Sequence, residues 1–335
     1  MPGNLLSVRD LRVEIATRRG VFAAVDDVSF DIAEGEVFGV VGESGAGKSL
    51  TGAAIIGLLD APLRLARGEI VFAGKRIDNL DAEAMRSLRG LHIGAVFQDP
   101  LTSLNPLLTV GRQLVQTIRA HLDLSPEEAR RRAAQLLAEV GIPAPRERLE
   151  SYPHELSGGM RQRIVLALAF CCEPRLVIAD EPTTALDVSV QAQVIELLKR
   201  MCRERGTSVM LITHDMGVIA EIADRIAVMY AGRVVEIGPA RAMLMRPAHP
   251  YTAGLMASIL NMRRVDGDLS QIEGNMPRLA AIPAGCAFHP RCSVRLQQCD
   301  HERPILAAAG DTAAACWLAA ARCQSVTNLQ GPGRA

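Results

Sequence analysis

The sequence is short of lysine. Only Lys48, Lys75 and Lys199 occur, against thirty-four arginines. Aromatic side chains are also sparse, eleven in 335 positions, so one lying near an expected ligand carries weight. Neither sign of charge is in excess: 37 basic side chains balance 37 acidic ones. That balance gives no electrostatic reason to expect nucleic acid as the main partner. No apolar run approaches the roughly eighteen residues of a membrane span; Ile164 to Cys172, at nine, is among the longest. Met1-Pro2-Gly3-Asn4 lacks the basic-then-apolar form of a secretory leader. These absences predict a cytosolic chain that touches a membrane only through a partner. In that setting eight cysteines argue for reduced thiols or a metal site, not a disulfide framework.

The stretch Gly42-Glu43-Ser44-Gly45-Ala46-Gly47-Lys48-Ser49 fits G-x-x-x-x-G-K-[ST] at every fixed position. Glu36 to Val41 ahead of it reads as a short buried strand, and Leu50 to Leu59 behind it as a packed helix. A strand, a glycine-rich loop and a helix are the context this motif needs. Glycines let successive backbone N–H groups curl round one anion, and the helix N-terminus adds partial positive charge. Lys48 supplies a compact cation for the β- and γ-phosphates, and the Ser49 hydroxyl can ligate Mg²⁺. A lysine at this place, in so arginine-rich a chain, suggests that a point charge is needed and not a planar fork. The bland alternative is a chance glycine-rich turn. Candidate nucleotide contacts run from Gly42 to Leu50.

At 335 residues the chain is long enough for two domains. Leu5 to Ile15 and Val28 to Ile32 alternate as strands do, and Phe22 sits just before the second. Phe22 is either an adenine-stacking ring or an ordinary core phenylalanine. Gly68 to Gly74 reads as a strand entering a turn, and Asp81 to Leu88 as a short helix. His92 to Gln98 reads as a strand ending in a neutral amide that could reach Mg²⁺ or an attacking water. Val110 to His121 and Pro126 to Val140 have helical spacing, the second with Ser125 as N-cap and Gly141 after its end. Two helices here imply a helical subdomain, about 100–172, inserted into the sheet. Leu156-Ser157-Gly158-Gly159-Met160-Arg161-Gln162 opens an apolar helix and makes a second anion site. One nucleotide cannot easily use both loops of one subunit, so two subunits are expected to face each other. Arg175 to Glu181 is a buried strand delivering two acids: Asp180 to hold Mg²⁺, Glu181 to polarise water. Val190 to Glu204 is a long helix, and Thr207 to Thr213 a strand ending at His214. Arg225 to Ile237 reads as a hairpin about Ala231-Gly232. The fold class expected is α/β with a helical insertion and an antiparallel flank.

Gly42 to Ser49, Gln98, Leu156 to Gln162, Asp180-Glu181 and His214, five motifs in this order and spacing, resemble the nucleotide-binding subunit of ATP-binding-cassette transporters, over about residues 5–260. The resemblance implies a P-loop NTPase fold and ATP sandwiched with Mg²⁺ at a dimer interface. It makes Gln98 the Q-loop glutamine and Ser157-Gly158-Gly159, with Gln162, the signature loop. Asp180 becomes the Walker B acid, Glu181 the catalytic carboxylate, His214 the switch histidine and Asp187 the D-loop aspartate. Catalytic roles fall on Glu181, His214, Lys48 and Gln98, and Mg²⁺ on Ser49, Gln98 and Asp180. An aromatic often ends the first strand in this family; Ile15 stands there, leaving Phe22 as the stacking candidate.

Phe97-Gln98-Asp99-Pro100, Ser103 to Pro106, His249 to Thr252 and Gly285 to Cys292 are similar to the dipeptide/oligopeptide importer branch. Glu273 stands where relatives usually have proline, and a local loop change is expected there. The branch implies two transmembrane permeases, a second cassette ATPase (a paralogue by family analogy) and an extracytoplasmic solute-binding protein, with no nucleic acid. It implies a peripheral place on the cytoplasmic face of the inner membrane and peptide import. Nickel or glutathione solutes, or a soluble cassette ATPase of DNA repair or translation, are the alternatives. The domains expected are 1–258 for the ATPase, 259–323 for a C-terminal extension and 324–335 for a disordered tail.

Cys286, Cys292, Cys299 and Cys316 could supply four thiolates to tetrahedral zinc or to an iron–sulfur cluster. The C-x₂-C knuckle usual for structural zinc is missing. Resemblance to the branch's cluster-binding tail favours [4Fe–4S]; the plain alternative is thiols packing a small domain. Cys323 is a fifth nearby thiol. Cys171, Cys172 and Cys202 fall on expected helices, in the core.

Overall fold

Alternation at the N-terminus produces two long strands, β1 (Asn4–Thr17) and β2 (Gly20–Ala33). The chain continues through β3 (Val37–Val41), β4 (Leu63–Phe72), β5 (Lys75–Arg76), β6 (Ile93–Val96), β7 (Leu176–Asp180), β8 (Ser208–Thr213), β9 (Arg225–Tyr230), β10 (Arg233–Pro239), β11 (Ala307–Ala309) and β12 (Thr312–Ala314). The computed structural model describes residues 3–99, 103–184, 186–262 and 272–320. Cys323 and the tail 324–335 lie outside the described residues, as do Pro100 to Thr102 of the loop after Gln98. The chain divides into two units, one of residues 1–6, 31–37 and 71–212, the other of 7–30, 38–70 and 213–335.

In the first unit β6, β7 and β8 run parallel, with Ile93 opposite Leu176 and Leu176 opposite Ser208. Leu176, Val177, Ile178 and Ala179 are all buried. A strand covered on both faces has no need of polar alternation, which is why this segment reads as an unbroken apolar run. Because the strands are parallel, the residues following β6 and β7 emerge at the same end. Helix Val110–His121 packs against helices Pro126–Glu139 and Gly158–Phe170. Pro126–Glu139 begins with a capping box: Glu128 N–H donates to Ser125 Oγ, and Ser125 N–H donates to the Glu128 carboxylate. Asp81 caps helix Ala82–Leu88 by a single bond, accepting from Ala84 N–H at 2.8 Å.

In the second unit β3 is parallel to β9, β9 pairs antiparallel with β10, and β12 pairs antiparallel with both β10 and β11. The β9–β10 turn uses Ala231 (φ 48°) and Gly232 (φ 80°), two left-handed residues as a tight hairpin requires. The sequence thus adds a short C-terminal hairpin beside β10. Glu236 lies in β10, completely buried, and accepts from Ala248 N–H, His249 N–H and the Thr312 hydroxyl.

Several boundaries differ from expectation, among them β4, which begins at Leu63 and not Gly68, and β6, which ends at Val96 short of Gln98. The helix after the phosphate loop spans Lys48–Ile55 and stops short of Leu59, because Gly57 (φ 63°) turns left-handed while Leu58 N–H bonds back to Ala53. Helix Val188–Arg205 is longer than the apolar pattern, capped at its end by Gly206 in the left-handed region. Strand β2 begins at Gly20, so Phe22 lies inside the strand, not ahead of it.

Candidate functional site

The glycine-rich loop belongs to the second unit and is built against β9 and its turn. Gly42 has φ 153°, and a Cβ there would stand 2.3 Å from the Met229 carbonyl oxygen. No larger residue fits. Gly232 N–H donates to Ala46 O at 2.9 Å, and Ala46 N–H donates to Glu43 O at 3.1 Å. Helix Lys48–Ile55 follows Gly47 (φ 99°), with no side-chain cap and no acid in its first turn. Such an end suits an anion, since neither an acidic side chain nor a side-chain cap competes for its first amides. Ser44, Gly45 and Ser49 are exposed, Glu43, Gly47 and Leu50 half-buried, and Ala46 buried. The Lys48 side chain is buried along the loop, its Nζ donating to Gly42 O at 2.8 Å and Glu43 O at 3.1 Å.

Also in this unit, Phe22 is half-buried in β2. His214 is exposed directly after β8, and Asp215 caps the next helix by accepting from Gly217 N–H at 2.8 Å.

In the first unit Gln98 is exposed beyond β6, while Asp180 ends β7 and Glu181 follows it, buried. Gln98 Nε2 donates to Glu181 Oε2 at 2.9 Å, and Thr184 Oγ1 donates to the same oxygen at 2.9 Å. Glu181 has φ 47°, a left-handed conformation that costs a non-glycine residue about 1–3 kcal/mol. Its N–H is tied to Ile212 O at 2.8 Å. The backbone is held in a strained turn that presents the carboxylate at the strand end.

The serine–glycine loop lies in the same unit. Ser157 is the N-cap of helix Gly158–Phe170, its Oγ accepting from Met160 N–H at 3.3 Å. Ser157 and Gly158 are exposed. Gly159 is constrained by packing: a Cβ there would meet Val190 Cγ1 at 2.7 Å. Gln162 is 2% exposed, and its Nε2 has no hydrogen-bond partner among the described residues. Asp187 is exposed at the start of Val188–Arg205, without a side-chain capping bond.

The cysteines fall into two groups. Cys171, Cys172 and Cys202 are buried, as the helical pattern implies. Cys286, Cys292, Cys299 and Cys316 are free and line one cavity of about 20 Å³, with His249, His289 and Phe288 also in its wall. Burial pushes the Cys286 thiol up to about 11, and its three neighbouring thiols add to the shift. The expected metal-binding set is corrected in one respect. Among the described residues no three His, Cys, Asp or Glu side chains form a group that could hold a metal ion. Loop backbone, not sequence spacing, sets how closely the four sulfurs approach.

Three residues around these sites had no assigned role from sequence. Thr184 follows the two acids by three positions and holds Glu181. Tyr251 and Arg291 sit in segments singled out only by resemblance, and both bond to Glu43 of the phosphate loop. No described helix is long and apolar enough to cross a membrane.

Residues 25–184 match the family model described as ABC transporter, and residues 235–299 the model described as Oligopeptide/dipeptide transporter, C-terminal region. The chain is 48% identical to the dipeptide transport ATP-binding protein DppD of Bacillus subtilis, over 94% of each chain. It is 45% identical to the oligopeptide transport ATP-binding protein OppD of Salmonella typhimurium, again over 94% of each. A dimeric ATP-binding cassette solved in a post-hydrolysis state with ADP and Pi superposes with a TM-score of 0.64 at 28% identity. That match covers 70% of this chain and 99% of the other. The cbiO1 structure from Clostridium perfringens gives 0.63 at 27% identity, covering 78% and 95%. With both family models matched in register and relatives this similar from end to end, the chain belongs to the ATP-binding proteins of ABC transporters, in the branch that carries the oligopeptide/dipeptide transporter C-terminal region.

Proposed function

We propose that this chain hydrolyses ATP to energise the import of dipeptides or oligopeptides through partner permeases. The observation that carries hydrolysis is the held carboxylate: Glu181, fixed by Gln98 and Thr184 in a strained turn after β7. The relatives named for dipeptide and oligopeptide transport, together with the matched C-terminal region, support the solute class.

The residue roles follow the chemistry of each group. Backbone N–H groups from Gly42 to Leu50 cradle the phosphates, and Lys48 leaves its loop carbonyls to neutralise the β- and γ-oxygens. Phe22 stacks on the adenine. Glu181 accepts a hydrogen bond from the attacking water and orients it on the γ-phosphorus. His214 stabilises the transferred charge. Ser157, Gly158, Gly159 and Gln162 serve the nucleotide of the partner ATPase, and Asp187 communicates across the pair. The hydroxyl, amide and carboxylate of Ser49, Gln98 and Asp180 are hard oxygen donors of the kind Mg²⁺ prefers, and they would hold it. When bound, the ion neutralises charge on the phosphates.

The working assembly is two permeases, a second and paralogous cassette ATPase and an extracytoplasmic solute-binding protein, with this chain peripheral on the cytoplasmic face. The ATPase core is 1–258, with its helical subdomain at about 100–172, and the extension is 259–323. In the extension the donor chemistry of Cys286, Cys292, Cys299 and Cys316 suits a [4Fe–4S] cluster, and their common cavity supports that reading. The closing of three donors on one ion does not. Anaerobic purification with iron and sulfide analysis tests it, and metal-free protein of full activity removes the cluster.

Gentle affinity purification from native membranes tests the transport reading. Co-purification of two multi-span proteins, a second cassette ATPase and a solute-binding protein is expected. Recovery from the soluble fraction with ribosomal or DNA-repair partners would refute it.

A further inference from the structure

Every polar group described for Glu43 is committed. Its N–H donates to Tyr251 Oη at 2.9 Å. Its carbonyl accepts from Ala46 N–H and from Lys48 Nζ, both at 3.1 Å. Its carboxylate pairs with Arg291 Nη1 at 2.9 Å. Two of these partners, Tyr251 and Arg291, lie more than two hundred positions further along the chain, in the segment matched as the transporter C-terminal region.

Arg291 is built to stay where it is. Its side chain is 7% exposed, and it donates to the carbonyls of Ile272, Glu273 and Gly274 at 3.2, 2.8 and 3.2 Å. Its guanidinium lies 5.8 Å from the Tyr230 ring centre and 5.9 Å from that of Phe288. A planar fork held by three carbonyls and two rings is pre-organised, so little side-chain entropy remains to be lost in gripping Glu43. Desolvation is the largest single influence and opposes its charge, but the hydrogen bonds and charge of Glu43 and Tyr230 together outweigh it, so the guanidinium stays protonated. Tyr251 is fully buried, and burial pushes its phenol above the usual range. It remains a neutral phenol against the loop N–H.

We infer that Arg291 and Tyr251 are positioning residues of the phosphate loop: they fix Glu43, and through the Glu43 carbonyl they set where the Lys48 ammonium rests. The inference depends on the proposed nucleotide reading of that loop. The extension is then part of the ATP site's scaffold as well as an appendage to the cassette. Arg291 also ends the short turn His289–Arg291, between Cys286 and Cys292, which places the cavity-lining thiols next to this anchor.

The test is a double-mutant cycle on the full chain, with ATP dissociation constants from fluorescent-nucleotide titration and folding checked by circular dichroism. Glu43→Gln and Arg291→Gln are each expected to weaken ATP binding roughly three- to tenfold, and the double variant no more than the worse single one. A purely structural Arg291 would give additive effects, or a lower melting temperature with unchanged affinity; either result overturns the inference. Tyr251→Phe keeps the packing and removes only the acceptor, and is expected to weaken binding without a matching loss of stability. If Arg291→Gln does not fold, Glu43→Gln carries the test, because it leaves the three carbonyl contacts of Arg291 in place; unchanged affinity there overturns the inference. Wild-type protein that fails to bind ATP would instead refute the loop's nucleotide role and this inference with it.

Discussion

Gln98 and Glu181, eighty-three positions apart, are joined by a 2.9 Å hydrogen bond at the C-terminal end of two adjacent parallel strands. The bond orients the carboxylate proposed to polarise water, and Thr184 makes a second bond to the same oxygen. Glu181→Gln keeps the size and loses the acceptor charge. Turnover is expected to fall by roughly 10²- to 10⁴-fold, the usual weight of a general base, with ATP binding retained. Phosphate release and nucleotide titration on one preparation separate the two. Unchanged turnover would remove Glu181 from its role.

Thr184 offers a finer probe. Thr184→Val removes the hydroxyl donor at nearly constant shape, leaving the Gln98 bond in place. Turnover is expected to drop roughly tenfold, the weight of one hydrogen bond to a charged group, with little change in KM for ATP. A rise in KM alone would assign Thr184 to nucleotide binding.

Gly42 tests the architecture of the loop. Its φ of 153° and the 2.3 Å approach to the Met229 carbonyl leave no room for a methyl group. Gly42→Ala must displace either the loop or β9, and either movement shifts the carbonyls that Lys48 rests on. ATP affinity is expected to fall at least tenfold and stability by about 1–3 kcal/mol. Thermal melts with and without ATP resolve both: the variant should melt lower and gain less from the nucleotide.

The local signals were legible because short-range chemistry dictates them. Ser125 starts a helix with Glu128 in its first turn, and the apolar run from Leu176 could only be a covered strand, whereas the helix stop at Gly57 goes unread inside an apolar run. The ordered motifs likewise carried the family. The early start of β2 was not legible, because pairing with its one sheet neighbour, β1, extends it through residues that show little alternation. Nor was the role of Arg291. An arginine followed by a cysteine in a loop gives no sign that its partner lies in the phosphate loop. Such a contact depends on tertiary folding, which no periodicity encodes.

Glu236 ties the C-terminal hairpin to β10. It is wholly buried and satisfies two backbone N–H groups and the Thr312 hydroxyl. Glu236→Ala leaves these donors unpaired in the interior. Each buried donor without a partner costs about 1–3 kcal/mol, so the variant should lose at least about 2 kcal/mol. Glu236→Gln, which keeps one acceptor, should lose less. Urea unfolding that ranks the two in the opposite order would point to repulsion at Glu236 in place of support.

His249 makes the same region sensitive to acid. It is 1% exposed, and its Nδ1 accepts the Tyr251 N–H at 3.0 Å, so the ring is neutral with its proton on Nε2. Burial lowers its pKa to about 4. The Glu236 carboxylate holds its backbone N–H, and the ring shares a cavity with His289, Arg295 and the four thiols. Cys286, pushed up to about 11, stays protonated throughout the acid range. In the unfolded chain the imidazole takes a proton near its ordinary pKa of about 6.5, whereas in the folded chain it resists until about pH 4. Between those values the unfolded state binds more protons, so stability rises with pH there. His249 therefore contributes fully above about 6.5, and its contribution falls away as pH drops toward 4, by about 3 kcal/mol in all. His249→Gln removes this titration but not that of the surface carboxylates. Urea midpoints of the two proteins should therefore converge as pH falls from about 7 to about 4.5. Parallel curves would mean that the ring does not resist protonation in the folded protein.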